Sequence, residues 1–425
     1  MIGLGPRGAG RLRLSRPAGF AAASVALAMV FLASGTPIPL YNTFRMQDGI
    51  TDRDLAITTV AYLAMTAVSL LVLGRLSDHL GRKPVALAAV GSAVAGLVVL
   101  MNVHGAGLLM LGRMLQGVAC GLASSALGSW AIDLAPARPR WLPALVTGAI
   151  PPAVLPVGAL VSGALAEYGP APRTLMFTVV AVALVAVAVP LALGPQPAAR
   201  RPGVFGSLVP RLVFPHGQGR LLFAVGAALV ATWSFSGFYQ AFSPAITADH
   251  LGTANRLVIA IVFSSIVVLA PIGGLVAGRM RATAAVRLGL IGFSLAAIVA
   301  VMSLHAAAMV PFLAGSYLGG VALGMVGTGG MSALLAQTAA ADRAGLLASV
   351  YLISYTGAAV PNLVGGELSA VVDLLDLASG YIGLVVSAAA VSIVLLTRSR
   401  PVADAAADAG RVPARPTADR CGNPG

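Results

Sequence analysis

Acidic residues are few in this chain, and so are charges of either sign: 14 Asp and Glu stand against 27 Lys and Arg, which together make up 10% of 425 residues. A soluble domain carries about a quarter charged residues, so an ordinary water-exposed surface is excluded. Cysteine is equally scarce. Cys120 falls in an apolar run and Cys421 near the C-terminus, which leaves no disulfide framework and no cysteine metal site. Lys83 is the single lysine. The positive charge is otherwise arginine and is scattered over many loops. The net charge of +13 therefore reads as a topology signal plus attraction to an anionic membrane leaflet, and no nucleic-acid partner is expected. His79, His104, His216, His250 and His305 all fall at predicted helix ends or in loops. No Ser, His and Asp set, metal-ligand cluster or phosphate loop accompanies them. Enzyme chemistry, a cofactor and a metal are thus not expected.

What fills the chain instead is apolar, with 58% hydrophobic residues and a mean hydropathy of +0.91. The apolar material falls into blocks of roughly 20 residues, each long enough to cross a hydrocarbon core as a helix whose backbone is satisfied internally. Alternation of the strand-barrel kind is absent. The expected fold class is all-α integral membrane, with twelve transmembrane helices near 18–40, 55–73, 84–103, 107–133, 142–166, 174–193, 221–243, 257–278, 284–304, 309–336, 346–370 and 378–397. Basic residues set the orientation. With the N-terminus inside, only Arg45, Arg53, Arg173 and Arg256 fall outside and Arg113 within a span, so both termini are expected to be cytoplasmic. The basic stretch at 7–16 resembles the start of a secretory signal, but the following run is span-length without a small-residue cleavage site, and a retained first helix is expected. The richness in Ala, Gly, Arg, Pro and Val points to a high-GC genome and hence a bacterial plasma membrane.

A Pro, Gly and Arg-rich segment at 194–220 divides the spans six and six. The expected organisation is a cytoplasmic tail (1–17), an N-terminal six-helix lobe (18–193), a cytoplasmic linker (194–220), a C-terminal six-helix lobe (221–397) and a disordered cytoplasmic tail (398–425). The halves repeat. "GRMLQGVACG" (112–121) and "GSYLGGVALG" (315–324) agree at six of ten positions at an offset of 203 residues, as a duplicated unit would. Small residues recurring at helix contacts would give a similar look by chance.

Twelve residues at 74–85, "GRLSDHLGRKPV", gather two arginines, a lysine, an aspartate and a histidine into the turn between the second and third spans. The stretch closely resembles the signature G-x-x-x-D-x-x-G-R-K/R of the major facilitator superfamily, matching at Gly74, Asp78, Gly81, Arg82 and Lys83. The resemblance covers about residues 18–397. It implies two pseudo-symmetric six-helix lobes around a central cavity and secondary active transport by alternating access. It also implies a cytoplasmic gate in which Asp78 and Arg82 meet a partner acid at the end of the fourth helix, a place that Asp133 fills. On the residues alone, glycines 74 and 81 let helices approach and the chain turn with positive φ. Plain positive-inside anchoring accounts for Arg75, Arg82 and Lys83 but not for the aspartate. In the second half, "GGLVAGRMRATAAV" (273–286) has Gly278 where an aspartate would stand, so the gate is expected to be asymmetric.

Within the membrane, Arg113 shares one helical face with Gln116, Gly117, Cys120 and Ser124, all within about 60°. Such a face should look into a cavity or a neighbouring helix, because an unpaired arginine in lipid costs several kcal/mol. The alternative is an arginine snorkelling to the outer headgroups. The stretch resembles the family's fourth-helix signature, and in related drug antiporters the matching arginine is linked to proton coupling. Arg113 and Glu367, the most deeply placed acid of the second half, are therefore the coupling candidates. Tyr351, Tyr355 and Asn362 lie within about 40° on the eleventh span. With Ser34, Tyr41, Gln116, Ser124, Trp233, Ser236 and Gln240 they form the candidate substrate contacts, the first and seventh helices being included by resemblance. Pro37 and Pro39 should end or kink the first helix. Aromatic belts and loop entry explain several of these residues equally well. Glu167 is expected to be a solvated interface residue.

The leading expectation is a monomeric, proton-coupled exporter of a hydrophobic or amphipathic small molecule, with protons and the lipid bilayer as its other partners. A G-P-x-x-G-G element, usual in the fifth helix of such exporters, is at best half present in "PPAVLPVGALVSGAL" (151–165), where Ser162 replaces a glycine. An importer of a small nutrient, or a non-transporting sensor or scaffold on this fold, are the alternatives.

Overall fold

The computed structural model describes residues 14–139, 142–196, 202–210, 212, 218–339 and 342–397. The expectations for 1–13, for parts of the linker and for 398–425 lie outside these residues. Twelve helices are long and apolar enough to span a bilayer, and they are labelled here in chain order. They are α1 (Arg16–Asp48), α2 (Asp52–Leu73), α3 (Arg82–Met101), α4 (Ala106–Leu134), α5 (Leu145–Tyr168), α6 (Leu175–Leu193), α7 (Gly219–His250), α8 (Arg256–Ala277), α9 (Ala282–His305), α10 (Met309–Ala336), α11 (Gly345–Leu368) and α12 (Leu374–Thr397). No strand occurs among the described residues. The chain is a multi-pass membrane protein of two six-helix lobes. The end of the bundle that carries residues 74–83 is called the motif end below, and the other the distal end.

Each lobe is organised around its fourth helix. α4 packs on α1, α2 and α3, and α10 on α8 and α9. Close approach is made possible by glycines that the repeat places in register. A Cβ on Gly117 would stand 2.5 Å from the Tyr62 carbonyl oxygen, and one on Gly320 3.1 Å from those of Ser265 and Ile266. Gly117 and Gly320, like Tyr62 and Ser265, are 203 residues apart, so the duplication read from ten residues extends to the contacts they make. Small residues serve here because lipid offers no hydrophobic drive between helices, and packing must supply the affinity.

Two helices differ from the sequence expectation in length. α1 is α-helical to Gly35, tightens into a 3₁₀ turn at Ile38–Leu40 and resumes as a helix over Tyr41–Asp48. The prolines break the hydrogen bonding without ending the run. α7 continues past 243 through a π turn at Ile246–His250. The lobes meet along α2 against α11, α5 against α8, and α2 against α7.

The glycine contacts yield a ranking. Gly117→Leu should lower stability most, by about 2–3 kcal/mol from overpacking against backbone, Gly320→Leu less, and Gly91→Leu, with nothing within 4 Å, least. Thermal unfolding of the purified protein in detergent measures the order, and equal losses at 117 and 91 would contradict it.

Candidate functional site

The break in α1 creates the polar centre of the first lobe. Pro37 has no N–H, so the carbonyls of the turn before it lose their helical partners. Side chains from α4 and α5 take those places. Gln116 Nε2 donates to the Ala33 carbonyl at 2.8 Å, Arg113 Nη1 to the Ser34 carbonyl at 2.5 Å, and Ser162 Oγ to the Thr36 carbonyl at 2.6 Å. The serine that departs from the exporter pattern in α5 thus caps an orphan carbonyl. Arg113 also donates to Gln116 Oε1 at 2.8 Å. Its guanidinium lies 4.0 Å from the centroid of the Tyr62 ring, a cation–π contact, and the Tyr41 hydroxyl adjoins it without a well-formed hydrogen bond.

Arg113 is fully buried, so the guanidinium does not snorkel to the headgroups. No carboxylate pairs with it among the described residues. Its charge rests at the C-terminal end of the first α-helical segment, where unsatisfied carbonyls amount to about half a negative charge. Nε and Nη2 of this arginine have no hydrogen-bond partner.

Across the lobe interface stands an aromatic wall. Trp233 and Tyr355 meet edge to face at 5.2 Å, and Tyr351 lies 6.4 Å from Tyr355. Tyr355 is close to Tyr62 and Cys120 of the first lobe, and Tyr62 donates to Cys120 Sγ at 3.7 Å. One turn toward the motif end from Cys120 is Ser124, and one turn toward it from Tyr355 is Tyr351; both are exposed. The lobes therefore touch at the level of Tyr62 and Tyr355, and on the motif side of that contact Ser124 and Tyr351 are accessible.

The remaining predicted contacts divide. Ser34 lies beside Tyr62 and Cys120, within the first-lobe cluster. Ser236 donates back to the Thr232 carbonyl at 2.9 Å and remains partly accessible. Gln240 is buried to 7% exposure on α7. Asn362 is placed elsewhere than expected. Its amide donates to the Ala358 carbonyl at 2.7 Å and accepts from Tyr381 at 3.3 Å, wedged against Gly237 inside the second lobe. Helical phase alone put it with the tyrosines, but a polar side chain in a lobe core turns to satisfy itself.

Glu367 also differs from its expectation as a deep membrane acid. It occupies the last turn of α11, half exposed, and pairs with Arg53 of α2 through two bonds of 2.9 Å. α11 ends at Leu368, two residues before the expected limit, which brings Glu367 to the water boundary. Glu167, expected to be solvated, is instead only 24% exposed and pairs with Arg256 at 3.4 Å. A further pair, Arg45 with Asp249 at 2.9 Å, joins the ends of α1 and α7. These pairs join the lobes at the distal end. Tyr62 and the distal pairs were not singled out from sequence, although Tyr62 stands one turn before Thr66 on the face that meets α4.

At the motif end the predicted charges converge. Arg82 holds Asp78 at 2.5 Å, Asp133 at 3.1 Å and Ser77 Oγ at 2.7 Å. Gly81 turns the chain at φ +98°, whereas Gly74 adopts an ordinary φ of −57° and needs no left-handed freedom. Lys83 donates to the Ala192 carbonyl at 2.7 Å. All of these groups belong to the first lobe, so the cluster fastens the α2–α3 turn to the end of α4 and does not itself bridge the lobes. It reaches outward through His79 Nδ1, 3.0 Å from the Pro202 carbonyl of the inter-lobe segment.

Comparison with known proteins follows this geometry. The family model described as Major Facilitator Superfamily matches residues 23–360. "Multidrug resistance protein MdtL" of Klebsiella pneumoniae subsp. pneumoniae is 35% identical over 104 residues, 24% of this chain and 26% of that relative, so the match spans about a quarter of the relative's length. The crystal structure of the nucleoside transporter NupG superposes with a TM-score of 0.67 at 11% identity, covering 89% of this chain and 99% of that one. The peptide transporter POT in complex with alafosfalin gives 0.68 at 16% identity, covering 89% and 93%. At such identities the likeness is one of fold.

Because Arg82 is shared by two acids, Asp78→Asn and Asp133→Asn should not act independently. A double-mutant cycle in SDS-induced unfolding of the purified protein should give a coupling of about 0.5–1 kcal/mol, and additivity within error would dissolve the cluster into separate contacts.

Proposed function

The chain belongs to the major facilitator superfamily, and on that premise we propose that it is a proton-coupled exporter of hydrophobic or amphipathic small molecules in a bacterial plasma membrane. It is neither an enzyme nor dependent on a cofactor for this role. The observation that carries the proposal is the meeting of two unlike surfaces at the lobe interface: a buried, carboxylate-free Arg113 under Tyr62, and the wall of Trp233, Tyr355 and Tyr351. Apolar rings with polar tips accept a large, weakly polar guest. The scarcity of acids and bases around them disfavours dianions and nucleotides. The partial match to a multidrug resistance protein supports outward transport.

In this reading residues 18–193 and 221–397 are the rocking lobes, joined by 194–220, with both termini cytoplasmic. The cleft then opens to the cytoplasm while the distal pairs close the outside. Substrate enters past Ser124 and Tyr351 and docks on the aromatic wall, and rocking of the lobes exposes it to the other side. An arginine guanidinium serves as a fixed cation, so the part of Arg113 in coupling is electrostatic. A fixed cation opposes a second positive charge nearby.

Cells with and without the protein, given a panel of toxic compounds at two external pH values, test the reading. Lower accumulation with the protein, steeper at acid external pH, is expected; higher accumulation would favour the importer alternative. Arg113→Ala should remove at least about tenfold of the protection, and Arg113→Lys should restore little, because a point charge cannot both bond the Ser34 carbonyl and stack on Tyr62. Full activity of properly inserted Arg113→Ala would remove this residue from the mechanism.

A further inference from the structure

The distal contacts carry a symmetry that no single pair reveals. Arg53 opens α2 and Arg256 opens α8, and the two are 203 residues apart, the same offset that relates the halves. Each pairs with a glutamate in the last turns of the fifth helix of the opposite repeat, Arg53 with Glu367 at the end of α11 and Arg256 with Glu167 at the end of α5. The glutamates are 200 residues apart, about one helical turn off that offset, while two glycines of the same helix ends, Gly366 next to Glu367 and Gly163 one turn before Glu167, are again 203 apart. A Cβ on Gly366 would come 2.6 Å from Ala56 Cβ, and one on Gly163 2.8 Å from both Ala260 Cβ and the Arg256 carbonyl oxygen. Every one of these contacts crosses from one lobe to the other. The third pair, Arg45 with Asp249, joins the matching ends of α1 and α7 and so lies across the axis that exchanges the other two.

We propose that Arg53–Glu367 and Arg256–Glu167 form a duplicated clamp whose four residues act as positioning residues for transport by setting how often the distal end is closed. The clamp works through the lobes, not by touching substrate. Its two halves differ in dress. Arg53 and Glu367 are each about half exposed and bonded only to one another. Arg256 additionally receives Thr43 Oγ1 as acceptor at 2.9 Å and gives its backbone N–H to Glu167 at 3.0 Å. The first pair depends on charge alone and can be exchanged, while the second depends also on backbone geometry. Exposed ion pairs suit this task because water replaces each partner when the lobes part. Two related clamps on opposite flanks also keep closure from favouring one side.

The inference rests on the alternating-access reading above, but its test uses no substrate, so an error in substrate class leaves it intact. Spin labels at His104 and Val310, exposed distal residues of opposite lobes, report lobe separation in the full-length protein in lipid nanodiscs after replacement of Cys120 and Cys421. Glu367→Gln and Glu167→Gln should each raise the long-distance, distal-open population about threefold or more. The exchange Arg53→Glu with Glu367→Arg should return it to the parent value. The corresponding exchange at 256 and 167 should return it only in part. Unchanged distances in both Gln variants would overturn the clamp. An Arg53 and Glu367 exchange that stays as open as the single variant would likewise overturn the claim that charge pairing, and not local shape, does the closing. Arg53→Lys guards against a folding artefact: it keeps the charge and should stay near the parent, and a distal-open Arg53→Lys counts against the proposal.

Discussion

The structure depends on a helix that stops bonding to itself. Pro37 and Pro39 strip partners from carbonyls deep in the membrane, where each unsatisfied group costs several kcal/mol. Gln116, Arg113 and Ser162 take those places, which locks α4 and α5 onto α1. The same break solves the problem of a buried arginine. With no carboxylate paired to it among the described residues, the guanidinium is stabilised by the negative end of the interrupted helix and by the Tyr62 ring. Remove the break and the cation loses the carbonyl it lies on; remove the cation and the Ser34 carbonyl loses its side-chain donor. Each justifies the other.

Within the lobes and between them, different forces operate. Inside each lobe, glycines bring backbones into contact at distances that tolerate no added atom, and packing of that kind resists deformation. Between the lobes at the distal end the fastening is ionic and partly exposed, each pair worth about 1 kcal/mol or less. A stiff interior with a weakly fastened boundary is what allows two rigid bodies to exchange one arrangement for another.

Much of this was legible in the sequence. Twelve spans follow from apolar length, the duplication from ten residues, and the meeting of Arg82 with Asp78 and Asp133 from the signature at 74–83; these are local or strongly patterned properties. What escaped was decided by partners far along the chain. α1 runs on to Asp48 because α4 and α5 supply the hydrogen bonds that the prolines remove, and no local rule contains that. Asn362 shares a helical phase with Tyr351 and Tyr355, yet it turns inward because Tyr381 and Ala358 are there to satisfy it. Glu367 looked like an acid in the membrane because an apolar run does not say which of its last residues meets water. The equivalence of Arg53 and Arg256 is contained in the offset of 203, which relates helix edges as well as helix cores.

The duplication has been kept where closure needs balance and abandoned where chemistry needs difference. At the distal end both copies retain the arginine and the glycine, with a glutamate within one turn of the equivalent place. At the motif end only the first copy keeps the aspartate, and the turn between α8 and α9 is too short for the extra helix that Leu76–Leu80 forms in the first lobe. In the lobe cores the divergence is larger still. The position equivalent to Arg113 is Ser316, which shares a 2.6 Å hydrogen bond with Tyr239 in a cluster of Phe235, Phe238, Phe293 and Phe312. One lobe core therefore holds a fixed cation and the other holds rings. Two such unlike interiors, built about the same helix of one repeat, make the halves chemically distinct, which a faithfully symmetric pair of lobes could not be.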